Sequence, residues 1–130
     1  MRDPRELVAI FVGGAIGSLA RAWVGTALVT GPHRWPWATF VVNVVAAFLL
    51  GYVATRLLER LPVSSYQRPL VGTGVCGGLS TFSTMQIEIV RLIQDGDWSI
   101  AASYVAASIV AGYLALHLAT AMARRTVVRW

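Results

Sequence analysis

The chain is poor in the residues on which many soluble enzymes depend. Its 130 residues include one cysteine, no lysine and only 13% charged residues. A single cysteine, Cys76, forms neither an intrachain disulfide nor a thiolate metal site, and its ordinary role is that of a small buried hydrophobe. Without a lysine, the G-x-x-G-G run that begins at Gly74 is not a phosphate-binding loop.

Catalytic motifs are also missing from the sequence. It contains no H-E-x-x-H, no paired carboxylates and no Ser/His/Asp arrangement. The two histidines, His33 in an expected loop and His117 near the end of the last apolar stretch, are interpreted as bystanders. We therefore predict that the chain is not an enzyme.

Apolar residues, by contrast, are abundant. They make up 56% of the chain, and most fall in four stretches, at about residues 7–29, 38–58, 70–93 and 99–122. Each stretch has the roughly 20 residues that a helix needs to cross a bilayer. The pattern predicts an all-α membrane protein in which residues 1–130 form a single domain of four transmembrane helices. The first stretch is too long for a cleavable signal peptide.

The positive charge comes entirely from arginine and is distributed unequally. Eight arginines fall on the side shared by the termini and the second connection: Arg2, Arg5, Arg56, Arg60, Arg68, Arg124, Arg125 and Arg129. Only Arg34 and Arg91 flank the other side. This asymmetry predicts a multi-pass protein of the cell membrane with both termini in the cytoplasm. Arginines at helix ends require no nucleic-acid partner.

The third apolar stretch contains a run that is unusual for a bilayer. From Gly72 to Thr84 it reads GTGVCGGLSTFST, in which nine of thirteen residues are Gly, Ser or Thr. Irregular backbone at membrane depth is tolerated only where it is buried in protein or lines an aqueous path. We therefore expect the third helix to be broken near its middle, at an ion site. A bundle of only four transmembrane helices is too small to enclose a hydrophilic path readily by itself, so an oligomer is expected.

Polar groups within the predicted spans are few, and most are hydrogen-bond donors. They include Arg21, Thr39, Asn43, Ser80, Thr81, Ser83, Thr84, Glu88, Tyr104 and Ser108. Hydroxyl, amide and guanidinium donors suit a small anion that must exchange its hydration water, whereas a divalent cation would need several carboxylates. Structural roles remain open: Arg21 could reach a carbonyl or headgroup, Asn43 could join helices, and Glu88 could pair with an arginine or lie at the interface.

Three strings resemble the Fluc (CrcB) fluoride channel family. They are GGAIGSLAR from Gly13 to Arg21, ATFVVN from Ala38 to Asn43 followed by FLLG, and GVCGGLSTFSTMQIE from Gly74 to Glu88. The resemblance implies a small four-helix protein that pairs as an antiparallel dimer, forms two fluoride pores and exports fluoride passively. It also implies a structural sodium ion at the dimer axis, bound by the backbone carbonyls of Gly77 and Ser80.

The resemblance also implies roles for the residues of the ion pathway. Asn43 and Phe82 would line the pore, with the ring edge of Phe82 facing fluoride. Ser83, Thr84, Tyr104 and Ser108 would supply further donors, and Arg21 would aid packing or attract the anion. The chain departs from the family pattern at Met85, which stands where the family has its second phenylalanine. A thioether has no aromatic edge, so fluoride should be held less well there.

The arginine asymmetry favours a fixed orientation, and Met85 favours a partner that supplies an intact phenylalanine pair. A homodimer whose subunits insert in both orientations needs little charge bias, so the chain is expected to pair with an oppositely oriented relative, the homodimer being the alternative. Two rival functions stay open. One is a small proton-coupled multidrug transporter, although that class needs an acid deep in its first helix, where this chain carries Arg21. The other is a non-conducting membrane subunit.

Overall fold

The fold of the chain is almost entirely helical. The computed structural model describes residues 3–29, 31–59 and 68–127. The helices are α1 (Pro4–Ala27), α2 (Trp37–Glu59), a π-helical segment (Arg68–Val75), α3 (Cys76–Leu79), α4 (Phe82–Gln94) and α5 (Trp98–Val127). Within these described ranges, three helical stretches are long and apolar enough to cross a membrane: Pro4–Ala27, Trp37–Arg56 and Trp98–Arg125. Arg2, Arg60 and Arg129, which contribute to the predicted charge asymmetry, lie outside the described residues.

Many large apolar side chains lie on the surface of the molecule, and few are buried in its interior. Phe11 is 77% exposed, Leu19 71% and Trp23 70%. The buried cluster is small and centres on Val42, Ala46 and Leu79. Such an exposed apolar surface fits a lipid environment or a partner subunit and not water.

The start of α1 follows from its first residues. Asp3 is the N-cap, and its side chain accepts a hydrogen bond from the N–H of Arg5 at 3.0 Å. Pro4 occupies the first helical position, where a missing N–H costs nothing.

Glycines let α1 approach the π-helical segment and α3 closely. A Cβ atom built on Gly74 would lie 2.8 Å from both Gly13 Cα and the carbonyl oxygen of Ile10. A Cβ on Gly17 would overlap the carbonyl oxygen of Val75. The small face of α1 therefore sets how near the irregular part of the chain can lie.

The helical ladder between α3 and α4 is interrupted for two residues. Ser80 has φ −75° and ψ 152°, and Thr81 has φ −147° and ψ 116°, so both are extended. The π-helical segment precedes α3, and this rare geometry is frequently found at functional sites. The Gly-, Ser- and Thr-rich run thus contains irregular backbone, as its composition predicts.

Candidate functional site

Asn43 of α2 lies against the interruption between α3 and α4. Its Nδ2 group donates to the carbonyl oxygen of Thr81 at 3.1 Å, and the N–H of Thr81 donates to Asn43 Oδ1 at 2.8 Å. Thr81 is extended and only 6% exposed, so water has little access to its backbone groups. One side-chain amide therefore satisfies both the N–H and the C=O of this residue.

Two carbonyl groups lose their helical donors at the same place. In an uninterrupted helix, the N–H of Thr81 would donate to Gly77 and the N–H of Thr84 would donate to Ser80. Here the N–H of Thr81 bonds Asn43, and the N–H of Thr84 donates to Thr81 Oγ1 at 3.2 Å. Gly77 and Ser80 line an open groove of about 420 Å³ together with Asn43. Among the described residues no other backbone donor replaces these bonds, so the carbonyl oxygens of Gly77 and Ser80 can accept from, or coordinate, another partner.

Glu88 of α4 joins three helices through its two oxygens. The hydroxyl of Thr39 in α2 donates to Glu88 Oε1 at 2.6 Å, and the hydroxyl of Tyr104 in α5 donates to Oε2 at 3.0 Å. Thr39 is 5% exposed and Tyr104 is fully buried. Within the described part of the chain, no arginine forms an ion pair with Glu88. The carboxylate is held by hydroxyl groups and not by a cation.

Glu88 also borders two neighbouring grooves. We call the first, of about 360 Å³, the middle groove. Its lining residues are Arg21, Gly25, Leu28, Val29, Ala38, Thr39, Val42, Thr81, Thr84 and Glu88. The other, of about 380 Å³, lies at the end of the bundle that carries the connection 31–36, and we call it the mouth groove. Since both contain Glu88, the two grooves meet at this carboxylate. Arg21 is half-buried in the middle groove and brings a permanent positive charge to it.

Comparison with known proteins identifies the family to which the chain belongs. The sequence model described as "CrcB-like protein, Camphor Resistance (CrcB)" matches residues 8–120. The chain belongs to the CrcB family.

Similar CrcB relatives are found in bacteria and an archaeon. The fluoride-specific ion channel FluC 1 of Mycobacterium bovis is 60% identical over 127 residues, which cover 98% of this chain and 96% of that protein. FluC 2 of Nocardia farcinica is 38% identical over 122 residues, covering 94% and 87%. FluC of Pyrococcus furiosus is 37% identical over 123 residues, covering 95% and 99%. The resemblance is confirmed, and so is the prediction that the chain is not an enzyme, because these relatives are named ion channels.

In this CrcB chain, the residues predicted for the ion pathway fall into two groups. The first group meets around the middle groove: Arg21, Thr39, Thr84 and Glu88 line it, while Asn43 and Tyr104 bond its walls. The second group comprises Phe82, Ser83, Met85 and Ser108, none of which lines the middle groove. Phe82 is 70% exposed on the surface of α4, and Ser83 is exposed beside it. This chain by itself therefore does not bring the two groups together.

Thr81 is one of the polar groups in the third predicted span, but it is not among the residues predicted for the ion pathway. Its hydroxyl donates to Thr84 Oγ1 at 3.0 Å and accepts from the N–H of Thr84, so it caps α4. The available signal was its place in the hydroxyl-rich run, since threonine is favoured at a helix N-cap. That signal was shared by Ser80 and Ser83, so the sequence did not single out Thr81.

Proposed function

We propose that this chain is a fluoride-selective channel through which fluoride leaves the cytoplasm passively. The observation that carries the proposal is the 60% identity, over 98% of the chain, to a protein named fluoride-specific ion channel. Nothing in the described residues offers a nucleotide site, which fits flow down the fluoride gradient.

The chemistry of the middle groove supports an anion as the transported ion. Its polar lining consists of the guanidinium of Arg21 and the hydroxyls of Thr39, Thr81 and Thr84, with Glu88 as its one carboxylate. The two oxygens of Glu88 each accept a hydroxyl donor, which lowers the repulsion that the carboxylate exerts on an anion. The proposed pathway comprises Arg21, Thr39, Asn43, Phe82, Ser83, Thr84, Met85, Glu88, Tyr104 and Ser108.

A structural sodium ion fits the groove that contains Gly77 and Ser80. Carbonyl oxygens are suitable ligands for a hard cation, and these two have lost their helical donors to Asn43 and Thr81. Two carbonyls from one subunit leave a sodium ion under-coordinated. Two more from a partner subunit would complete a four-oxygen shell at a dimer axis.

A second subunit would also complete the anion path. The middle groove is open, and Phe82 and Ser83 are exposed without being part of its lining. In the proposed assembly, residues 68–94 act as one broken membrane span, which gives four spans per chain. Two such chains pair in antiparallel orientation and form two pores between them.

Met85 and the arginine asymmetry support a partner that differs from this chain. Met85 would leave the pore with one aromatic edge from this subunit, that of Phe82. A relative with two phenylalanines and the opposite charge bias would supply the missing contact. The termini of this chain would face the cytoplasm, and the relative would be inserted the other way round.

Fluoride efflux from liposomes tests the proposal. The purified chain is reconstituted alone and with a co-encoded relative, in sodium-containing and sodium-free buffer. Fluoride efflux that is not driven by an imposed proton gradient, with no chloride efflux, is expected in at least one assembly. Efflux only with the relative favours the mixed dimer, whereas efflux of the chain alone favours the homodimer. Proton-coupled cation exchange would support the transporter, and no transport in either assembly would support the non-conducting subunit.

A pair of variants locates the pathway in whichever assembly conducts. Phe82→Ile should abolish fluoride efflux, because it removes the aromatic edge that Phe82 offers to the anion. Phe11→Ile is the matched control, since Phe11 is 77% exposed on the outer face of α1. Normal efflux from Phe82→Ile would remove Phe82 from the pathway.

A further inference from the structure

Beside the mouth groove, which His33 lines, a contact joins two connections that are far apart in the sequence. His33, in the connection between α1 and α2, lies with its Nδ1 atom 2.6 Å from Asp97 Oδ2, in the turn between α4 and α5. The side chain of His33 is 59% exposed and that of Asp97 is 22% exposed. The Asp97 backbone is fixed in turn, because its N–H donates to Leu92 and its carbonyl accepts from Ala101, in the first turn of α5.

The connection that carries His33 also carries Trp35, which packs on the buried Tyr104. The two rings meet edge to face, with centroids 5.6 Å apart. The indole Nε1 of Trp35 is buried and has no hydrogen-bond partner among the described residues. Ring packing and the backbone of the connection therefore hold Trp35 in place. Since Tyr104 bonds Glu88, the position of Trp35 bears on the carboxylate where the two grooves meet.

The charges around His33 favour its protonated form. Asp97 and Asp95 face it from the turn between α4 and α5, Arg34 is adjacent on its own connection, and Arg91 and Glu88 of α4 lie across the mouth groove. The hydrogen bond to Asp97, followed by the charge of that carboxylate, raises the pKa of His33 above its ordinary value. A raised pKa means that the folded protein binds this proton more tightly than the unfolded chain does.

We propose that His33 is a positioning residue: its protonated ring, bound to Asp97, holds the connection 31–36 against the turn between α4 and α5. This contact seats Trp35 on Tyr104 beside Glu88. The stabilising effect of the contact is fully present below the ordinary histidine pKa of about 6.5, and it is lost as the pH rises through the higher pKa of the folded protein. The effect on ion flow rests on the proposed function, whereas the contact itself does not.

The contact is tested by titrating the two histidines of the full-length protein by NMR in detergent. His117→Gln identifies the His33 signal. Asp97→Asn should lower the pH midpoint of His33, and it should also remove the loss of thermal stability that the unsubstituted protein shows as the pH rises above about 6.5. An unchanged His33 midpoint in Asp97→Asn would overturn the proposal, whatever the protein conducts.

Fluoride efflux separates positioning from simple attraction of the anion by a positive charge. In a conducting assembly, efflux should fall by about two- to threefold between about pH 6 and pH 8.5, which is the scale of an exposed ion pair. His33→Gln should remove this pH dependence, and the control His117→Gln should keep it. Asp97→Asn should conduct slowly even at pH 6, although its His33 is still charged there. If Asp97→Asn and the unsubstituted protein show equal efflux at pH 6, the positioning role is overturned. If no variant shows efflux, the result counts against the proposed function, and the NMR titration alone decides whether the contact exists.

Discussion

Replacing Asn43 with alanine should be among the most destabilising single changes in this protein. Its amide makes two hydrogen bonds, of 3.1 and 2.8 Å, to the backbone of Thr81, which is 6% exposed. Asn43→Ala leaves a buried N–H and a buried C=O each without this partner, and each costs about 1–3 kcal/mol. The expected loss is therefore about 2–6 kcal/mol in the free energy of unfolding, well above the cost of removing a surface hydrogen bond.

Unfolding of the detergent-solubilised protein by heat or denaturant measures this loss. Thr120→Ala is the matched control, because its hydroxyl bonds the carbonyl of Leu116 one turn earlier in the same helix, and that carbonyl keeps its place in the helical ladder. The control should change the stability by less than about 0.5 kcal/mol. A loss below about 1 kcal/mol for Asn43→Ala would refute the reasoning, because two buried backbone groups would then be satisfied without the amide.

Three further changes test the contacts around the site. Gly74→Ala should lower the free energy of unfolding by about 1–3 kcal/mol, because its Cβ would lie 2.8 Å from the backbone of α1. Gly25→Ala is the control and should be neutral or slightly stabilising, because a Cβ there would have nothing within 4 Å. Equal effects of the two substitutions would contradict the close approach. Tyr104→Phe removes the donor to Glu88 and should cost about 1 kcal/mol in the same assay, and an unchanged stability would show that the bond contributes nothing. Met85→Phe should raise fluoride efflux of the chain alone by about two- to tenfold if an aromatic edge is what the pore lacks, and equal efflux would dismiss that explanation.

Features that depend on short stretches of sequence could be predicted well. Asp3 and Pro4 predict where α1 begins, because a cap and a first-turn proline act on the adjacent backbone. The glycines of α1 predict a close approach, and Gly13 and Gly17 are indeed the places where a Cβ would meet the π-helical segment. The predicted irregularity between residues 72 and 84 follows in the same way from local composition.

Pairings between distant residues could not be predicted. The sequence offers Asn43 as a polar group at membrane depth, but which backbone it satisfies depends on how α2 lies against Thr81, 38 residues away. The same holds for Glu88, for which pairing with an arginine and an interfacial position were both open. Its actual partners are Thr39, 49 residues earlier, and Tyr104, 16 residues later. The sequence shows which side chains can donate or accept a hydrogen bond, but only the packing of the helices determines which of them pair.

The contacts at the interruption link the two proposed ion sites through the same few atoms. Asn43 takes the N–H that Gly77 would otherwise accept, and Thr81 takes the N–H that Ser80 would accept. The bonds that deprive these two carbonyls of their helical donors therefore also fix the start of α4, which carries Phe82 and Thr84 of the proposed anion path. A change at Asn43 should then weaken sodium binding and fluoride flow together. A variant that lost one and kept the other would show that the two sites are held independently.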